Sequence, residues 1–531
     1  MKDSLNTSCA DKLAEVLARS GISYAFGLPG GEIAAFMDSC RRANIRVVLT
    51  GHESSAALIA QVMGQITGIP GLCFATLGPG ATNLVTGVAN SFLERSPLVA
   101  VTAQIPVASY RTMTHQRLAT EKMFAPITKR SSVVGNNAYE LLQDLLCLAT
   151  SPRPGPVMLV LPSDVATQEC AGGTSTAPKS QGTEFDRSRL DEITEMIKES
   201  ERPLIIFGIG VPINAAPVMR HLVDTIQVPF VVTAKAKGIL SEDHPLFLGV
   251  ASGMAIDRDI LETIRSADLL IGIGFDPVEV DKTWFSEMRV ASLDSISMAE
   301  GDYHPFEVIG DLAVVVTTLS ESLTDTCAWP EDLIASRRQA ITRTPTSSKT
   351  GVSPLALIEG LRSVFPRNGI VSCDVGSHKL MMGQFWKTYE PGTFFMSNGL
   401  SGMGFGIPAA IAGQLAYPDR AVLTVLGDGG MLMMVHDLAL IRELKLPIVM
   451  IVLVDSSLSL IRISQQRRGY VPCGVDFIAP DFAAIARAFG IQGERASSLA
   501  AAKLSVERAV EQRTALLLEV PVDMQEYYEL V

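Results

Sequence analysis

In this 531-residue chain, one aspartate lies inside a glycine-rich turn, a setting that indicates ligand binding. Asp428 lies in the turn Gly427–Gly430, which follows the apolar run 421–426 and precedes a helical pattern over 431–444. Such a turn offers backbone N–H groups and a helix N-terminus to a phosphate. Because a lone carboxylate would repel phosphate, the aspartate favours a divalent cation such as Mg²⁺ between the two.

A second aspartate strengthens this interpretation. Asp455 ends the next apolar run, Ile448–Val454, and a helix and a strand fill the interval from Asp428. We therefore expect both aspartates at the carboxyl ends of adjacent parallel strands, where open α/β sheets bind ligands. The glycine-rich turn alone would suit an ordinary strand-to-helix connection, but two acids at two strand ends favour a metal–diphosphate site.

The rest of the chain must form the sheets that position these groups. Short β-rich runs alternate with amphipathic helical stretches, which predicts parallel sheets of the βαβ type. Polar linkers are predicted at Ala171–Phe185 and Arg337–Thr350. We therefore expect an α/β fold of three doubly wound parallel-sheet domains, at about residues 1–170, 187–330 and 352–531. The runs predicted as strands are Ile45–Thr50, Gly71–Thr76, Leu98–Thr102, Val157–Leu161, Leu204–Phe207, Phe230–Thr233, Leu269–Ile273, Val422–Leu426 and Ile448–Val454.

Composition excludes several classes of function. The formal net charge of −12 and a pI near 5.2 argue against nucleic acid as a partner. The N-terminal residues lack the apolar run of a signal peptide, and no run reaches the roughly 20 apolar residues of a membrane span. The eight cysteines form no CxxC pair, so we expect reduced thiols in a cytoplasmic protein, with no zinc site and no disulfide framework.

The two-aspartate pattern resembles the metal motif of thiamine-diphosphate (ThDP) enzymes. These enzymes usually carry Asn-Asn at the second position, where this chain has Val454-Asp455. The resemblance implies Mg²⁺ held by the side chains of Asp428 and Asp455 and by the backbone carbonyl of Ser457. It also implies that the residues against the diphosphate are Gly427, Gly429, Gly430, Ser377 and His378.

A stretch near the N-terminus resembles the pyrimidine-binding domain of the same family. It runs from Gly27–Gly30 to Gly78–Asn83 and includes Glu53, which opens an apolar helix over 54–68. By itself a first-turn glutamate is explained by the helix dipole. The resemblance implies instead that Glu53 is the acid that shares a proton with N1′ of the aminopyrimidine, with Gly30 beside the cofactor. Since different subunits supply the two halves of the site in this family, a homodimer or homotetramer is implied.

The similarity covers nearly the whole chain and points most closely to acetolactate synthases of the catabolic, flavin-free type. It implies that Met403 is the residue that wedges the cofactor into its bent form, and that His115 and Gln116 line the reacting centre. The turn Gly274–Glu279 resembles that of flavin-free members. No full GxGxxG sequence occurs nearby, so FAD is not expected.

The resemblance implies a ThDP- and Mg²⁺-dependent 2-oxoacid decarboxylase/carboligase, with acetolactate formation from pyruvate as the first hypothesis. Leu400 and Ser464 stand where catabolic synthases carry glutamines, and Arg462 replaces a small residue, so the acceptor pocket is altered. The alternatives are a specialised carboligase or simple decarboxylase of another 2-oxoacid, a flavin-linked oxidase on the same scaffold, and a non-catalytic binding protein. Intact Glu53 and the two aspartates argue against the last.

Overall fold

The computed structural model describes residues 7–170, 184–253, 255–280, 284, 287–323, 329–343, 345 and 351–530. The chain divides into two compact units, and each unit gathers segments that are distant in sequence. Unit 1 comprises Met1–Lys179, Gly399–Pro418 and Met434–Leu446, and unit 2 comprises Ser180–Asn398, Asp419–Met433 and Pro447–Val531. The boundaries expected from the sequence remain a prediction.

Unit 1 contains one parallel six-stranded sheet in the order β2-β1-β3-β4-β6-β5. Its strands are β1 (Tyr24–Leu28), β2 (Arg46–Leu49), β3 (Gly71–Ala75), β4 (Leu98–Gln104), β5 (Arg130–Val133) and β6 (Pro156–Pro162). Its helices are α1 (Cys9–Arg19), α2 (Ala34–Arg42), α3 (Glu53–Thr67), α4 (Pro79–Leu93), α5 (Thr120–Phe124), α6 (Ala138–Thr150), α7 (Ser163–Thr167), α15 (Gly406–Ala416) and α17 (Asp437–Leu444).

Helix α3 is the element that unites the segments of unit 1. It packs against β3, α4 and α15, and most of its residues are buried, as its largely apolar sequence requires. Near its start, the Ser55 hydroxyl donates to Asp437 Oδ2 at 2.9 Å, which ties α3 to α17. Burial raises the pKa of Asp437 to about 7, and this hydrogen bond opposes the shift.

Unit 2 contains the other two sheets, which are also parallel. The middle sheet has the order β12-β11-β10-β7-β8-β9 and the third sheet β14-β13-β15-β16-β18-β17. The middle strands are β7 (Pro203–Phe207), β8 (Phe230–Thr233), β9 (Phe247–Ala251), β10 (Leu269–Ile273), β11 (Val290–Asp294) and β12 (Phe306–Ile309). The third-sheet strands are β13 (Ile370–Cys373), β14 (Phe394–Met396), β15 (Val422–Gly427), β16 (Ile448–Val454), β17 (Gln492–Arg495) and β18 (Leu516–Pro521).

Helices of unit 2 connect these strands, and buried apolar side chains of both sheets form its core. They are α8 (Arg187–Glu199), α9 (Ala216–Ile226), α10 (Arg258–Arg265), α11 (Leu312–Ser322), α12 (Glu331–Ala340), α13 (Pro354–Val364), α14 (Ser377–Phe385), α16 (Asp428–Met433), α18 (Ser459–Arg467), α19 (Phe482–Ala488), α20 (Leu499–Gln512) and α21 (Gln525–Leu530). Within the described residues, no helix is both long and apolar enough to cross a membrane.

The predicted fold class is confirmed: there are three parallel, doubly wound sheets with interleaved helices. All nine runs predicted as strands are strands, with ends that differ by at most two residues. The single helix predicted over 431–444 is wrong, because the structure has α16 and α17 separated at residues 434–436. These helices serve different cores: Met431 is buried within unit 2, whereas Leu438 and Ile441 are buried within unit 1.

The linker predicted at Arg337–Thr350 begins too early. Residues 337–340 form the last turn of α12, where Arg337 donates to Ser266 Oγ at 2.8 Å. Basic residues are favourable at a helix C-terminus, so this arginine-rich stretch is a docked helix end. Residues 344 and 346–350 lie outside the described residues, as does most of the other predicted linker, residues 171–183.

Candidate active site

The strand order of the unit 1 sheet reverses between β1 and β3. These strands are neighbours with Leu28 opposite Ala75, while β2 lies beyond β1 and β4 lies beyond β3. Open α/β sheets bind ligands at such a switch point, outside the carboxyl ends of the strands. The predicted site residue Gly30 follows β1 here, and the segment 76–80 follows β3.

Glu53 is the first residue of α3, and its side chain is buried. Asn83 Nδ2 donates to Glu53 Oε2 at 2.9 Å, which fixes the carboxylate. The other oxygen, Oε1, would lie 3.3 Å from a Cβ placed on Gly80. The absence of a side chain on Gly80 therefore leaves space beside that oxygen, as a carboxylate that must meet a ligand requires.

Further predicted residues lie at the same sheet edge. A Cβ on Gly30 would lie 2.3 Å from Thr76 Oγ1, so the two strand-end loops can approach only because this residue is glycine. Gly78 has φ +62°, and a Cβ there would lie 2.9 Å from Gln116 Cβ. Gln116 therefore lies against the Gly78 turn, and the adjacent His115 has an exposed side chain.

Met403 lies in the connection before α15, and its side chain is half-buried. On its N-terminal side, Gly399 N donates to Glu94 Oε1 at 2.7 Å. On its C-terminal side, Gly404 has φ +93°, and a Cβ there would lie 2.8 Å from Met434 Cγ. Both flanks of this methionine are thus fixed within unit 1, which suits a residue predicted to act by its shape.

The third sheet has its own switch point, between β13 and β15, with β14 beyond one and β16 beyond the other. Asp374 follows β13 and is fully buried. A Cβ on Gly430 would lie only 2.0 Å from Asp374 Oδ2, and a Cβ on Gly427 would lie 3.3 Å from His378 Cε1. The glycines after β15 therefore allow close contact between the loops that follow β13 and β15.

The N-terminus of α14 holds two buried polar atoms that lack a hydrogen-bond partner among the described residues, Ser377 Oγ and His378 Nε2. Burial lowers the pKa of His378 to about 4, so the imidazole is neutral at physiological pH. Buried polar atoms without a partner are rare, and a helix N-terminus favours an anion. Their position beside Gly427 fits the diphosphate role that the sequence predicts for both residues.

Asp428 and Asp455 follow β15 and β16, which are adjacent and parallel with Gly427 opposite Leu453. The predicted placement of the two aspartates at neighbouring strand ends is confirmed. Asp428 Oδ2 accepts a hydrogen bond from Ser456 N at 2.7 Å, and Asp455 Oδ1 accepts one from Ser457 N at 3.1 Å. The turn after β16 is therefore bound to both acids.

The electrostatics of this pair favour a cation. Burial, and next the charge of Asp455, raise the pKa of Asp428 to about 6, and burial also raises the pKa of Asp455. Each carboxylate is thus harder to ionise than a free one, and a positive ion between them would stabilise both ionised forms. Carboxylate and carbonyl oxygens are the ligands that Mg²⁺ prefers, so the donor set fits the predicted metal.

Ser457, the third predicted metal ligand, is buried and forms an antiparallel bridge with Asp476. Its hydroxyl donates to Asp476 Oδ1 at 2.8 Å, and Arg462 donates to Asp476 as well. The backbone at Ser457 is therefore held in place. Three supporting residues were not predicted: Asp374, Asn83 and Asp476. Only Asp374 has a clear sequence signal, because it follows a buried strand just as Asp428 does.

The switch point of the middle sheet, between β7 and β10, is occupied by the chain itself. Gly208 N donates to Ile273 O at 3.0 Å and Gly210 N donates to Gly274 O at 2.7 Å. A Cβ on Gly274 would lie 2.5 Å from Val211 N. The two strand-end loops are therefore packed backbone against backbone at the place where a dinucleotide would bind.

Three family models match the chain in the order of its sheets. The thiamine pyrophosphate enzyme N-terminal TPP binding domain matches residues 7–123, the central domain matches 190–319, and the C-terminal TPP binding domain matches 374–520. Thiamine pyrophosphate is another name for ThDP. The chain therefore belongs to the thiamine pyrophosphate enzymes, and ThDP is its cofactor.

Relatives of nearly equal length narrow the class. The acetolactate synthase isozyme 1 large subunit of Escherichia coli is 31% identical over 97% of this chain and 94% of the relative. The probable acetolactate synthase large subunit of Methanocaldococcus jannaschii is 30% identical (98% and 93%), and the catabolic acetolactate synthase of Raoultella terrigena is 28% identical (97% and 95%). Within its family the chain is an acetolactate synthase-like carboligase, and these identities do not single out the catabolic type.

The predicted metal ligands Asp428 and Asp455 lead to a first prediction. Asp428→Ala and Asp455→Ala should each raise the Kd for ThDP in the presence of Mg²⁺ by about 10–100-fold, because each variant would lose one of the predicted metal ligands. Titration of ThDP at fixed Mg²⁺, followed by quenching of protein fluorescence, measures the effect. Asp332→Ala, an exposed charge in the first turn of α12, is the matched control and should bind as the wild type does. Unchanged titrations in both site variants would exclude the metal site.

Proposed function

We propose that this protein is a ThDP- and Mg²⁺-dependent 2-oxoacid decarboxylase/carboligase that acts on pyruvate or a similar 2-oxoacid. The proposal rests on the acidic side chains that lie beside the switch points of the first and third sheets. A buried glutamate, Glu53, stands beside the switch point of the first sheet, and the Asp428–Asp455 pair stands beside that of the third. Family membership and the acetolactate synthase relatives support the same reaction class.

The residues divide into three tasks. The side chains of Asp428 and Asp455 and the carbonyl of Ser457 would hold Mg²⁺. The Gly427–Gly430 turn, through the backbone N–H of Gly430, would contact the diphosphate together with Ser377 and His378. Bound ThDP supplies the electron sink that lets a 2-oxoacid lose CO₂. Glu53 would share a proton with pyrimidine N1′, and Asn83 would hold the carboxylate while the proton moves.

We also propose an oligomeric state and a cellular location for the enzyme. A homodimer or homotetramer follows from the family resemblance, in which two subunits complete each site. A cytoplasmic location is supported by the cysteines: those that the structure describes are free thiols, as a reducing compartment maintains. They are Cys9, Cys40, Cys73, Cys147, Cys170, Cys373 and Cys473.

The glutamate tests the proposal directly. Glu53→Gln keeps a side-chain oxygen that can accept from Asn83, so the fold and ThDP binding should persist. Loss of the proton-sharing carboxyl group should lower kcat for CO₂ release from pyruvate by about 10²–10⁴-fold. A coupled decarboxylation assay measures the rate, and Glu140→Gln, which changes an exposed glutamate of α6, is the matched control. Full activity in Glu53→Gln would overturn the proposed role.

We further propose that the reaction requires no flavin. The backbone packing of Gly208–Val211 against Gly274 supports this proposal, because it fills the nucleotide position of the middle sheet. The flavin-linked oxidase, the alternative on this scaffold, would need that position open.

The purified protein should therefore show no flavin absorbance, and added FAD should not change the decarboxylation rate. The measurement is a visible spectrum before and after denaturation, combined with the activity assay at increasing FAD concentration. One flavin released per chain on denaturation would contradict the proposal and favour the oxidase.

The acceptor side is where this chain departs from catabolic acetolactate synthases. Leu400 and Ser464 replace two amides, and the groups nearest to Ser464 that could compensate are engaged elsewhere. Arg462 pairs with Asp476, and Gln465 exchanges two hydrogen bonds of 3.2 Å with the backbone of Cys473. These contacts support a weakened pyruvate acceptor site and favour a specialised carboligase or a simple decarboxylase as the second candidate.

We therefore expect pyruvate decarboxylation with little acetolactate among the products. An amide that binds an acceptor carboxylate contributes on the order of 1.5–3 kcal/mol. Leu400→Gln combined with Ser464→Gln should raise the acetolactate share several-fold, as measured by mass spectrometry of products from labelled pyruvate. Leu400→Ala with Ser464→Ala is the matched control and should not raise it. If the wild type already converts pyruvate fully to acetolactate, the altered-pocket hypothesis is wrong.

A further inference from the structure

Within unit 2, a short segment at the end of β14 is held by the middle sheet. Residues 396–398 follow β14 at the carboxyl edge of the third sheet, where Met396 lies opposite Cys373 of β13. The next residues along the chain, 399–403, lead to the predicted wedge residue Met403. Residues 396–398 are therefore the last residues of unit 2 before that connection.

The first tie is a lysine that follows β8 of the middle sheet. Lys235 Nζ donates to the Met396 carbonyl at 2.9 Å. Burial lowers the pKa of Lys235 to about 7, an effect that Glu279 opposes and Lys379 increases. Since an amine donates a hydrogen bond in either protonation state, the tie persists on both sides of neutral pH.

The second tie is made two residues further along the segment. Asn398 Nδ2 donates to the Ser252 carbonyl at 3.1 Å, and Ser252 directly follows β9 of the middle sheet. Ser252 is itself fixed, because its backbone N–H donates to Asp257 Oδ2 at 2.7 Å and its hydroxyl donates to Asp257 Oδ1. Asp257 is almost fully buried.

Asp257 also accepts a hydrogen bond from α14, the helix that carries the proposed diphosphate contacts Ser377 and His378. Gln384, near the end of α14, donates to Asp257 Oδ1 and to the Val250 carbonyl, both at 2.6 Å. The carboxyl edge of the middle sheet therefore holds both α14 and the segment 396–398. Two elements of the proposed cofactor site depend on side chains from a sheet whose own switch point is closed.

We propose that Lys235 and Asn398 are positioning residues that fix the backbone of 396–398 at the carboxyl edge of the third sheet, from the middle sheet. Neither residue is assigned a contact with substrate or cofactor. The inference rests on the proposed function, because it gives these ties a role in cofactor binding and turnover rather than in stability alone.

The test uses Lys235→Met, Asn398→Ala and the double variant in the full-length protein. Each tie is one hydrogen bond, so each single variant should raise the Kd for ThDP or lower kcat by about 3–10-fold. Because both ties hold one segment, the double variant should lose no more than about as much as the worse single variant. The near-ultraviolet circular dichroism of bound ThDP should change, whereas Tm should shift by only a few degrees.

A matched control removes another buried lysine of the same connection. Lys237 pairs with Glu242 at 2.8 Å, and Glu242 accepts from Thr388 N at 3.1 Å. The variant Lys237→Met with Glu242→Gln removes this charge pair and the contact of Lys237 Nζ with the Phe394 ring of β14, 5.2 Å from the ring centroid. It leaves both hydrogen bonds to residues 396–398 in place, so its Kd and kcat should stay within about twofold of the wild type. If Lys235→Met fails to fold, Asn398→Ala alone decides the matter by the same comparison.

Three results would overturn the inference. The control variant could impair ThDP binding as much as Lys235→Met does, or the two single effects could multiply in the double variant. Wild-type values of Kd, kcat and circular dichroism in both single variants would overturn it while the proposed function stands. If the wild-type protein bound no ThDP and released no CO₂ from any 2-oxoacid, the proposed function and this inference would fail together.

Discussion

Two buried carboxylates at neighbouring strand ends determine the electrostatics at the carboxyl edge of the third sheet. Asp428 and Asp455 stand at the ends of neighbouring strands, where burial raises the pKa of both and the charge of Asp455 further raises the pKa of Asp428. The surrounding chain opposes these shifts with backbone N–H donors from residues 429, 456 and 457. A bound cation would offset this negative charge, so the proposed metal site and the proposed diphosphate contacts would form one electrostatic arrangement.

The acid of unit 1 has a different setting, because its neighbour is a neutral amide rather than a second carboxylate. Glu53 is buried and held by a neutral amide, Asn83, with space at its second oxygen where Gly80 lacks a side chain. The amide donor orients the carboxylate. The carboxylates of the two units thus have different neighbours, which suits the different roles proposed for them.

Much of this architecture could be predicted from the sequence, since local patterns determine it. Alternating apolar runs and helical stretches predicted three parallel sheets, and the run preceding Asp428 predicted its place at a strand end. Interactions between distant segments were the part that could not be predicted. No periodicity indicates that 431–444 serves two cores, nor that Arg462 is already paired with Asp476, 14 residues away. Asn83 becomes recognisable only once the fold brings Glu53 beside it.

The order of segments in unit 1 has a consequence for synthesis. Helix α3 packs against α15 and hydrogen-bonds to α17, yet these helices come more than 330 residues later in the chain. At about 5–20 residues per second, the ribosome would deliver them roughly 20–80 s after α3 has formed. During that interval the apolar surface of α3 lacks its final cover while the whole middle sheet is being made. A fragment that ends at residue 179 would lack α15 and α17 and would therefore leave exposed the surface of α3 that they cover.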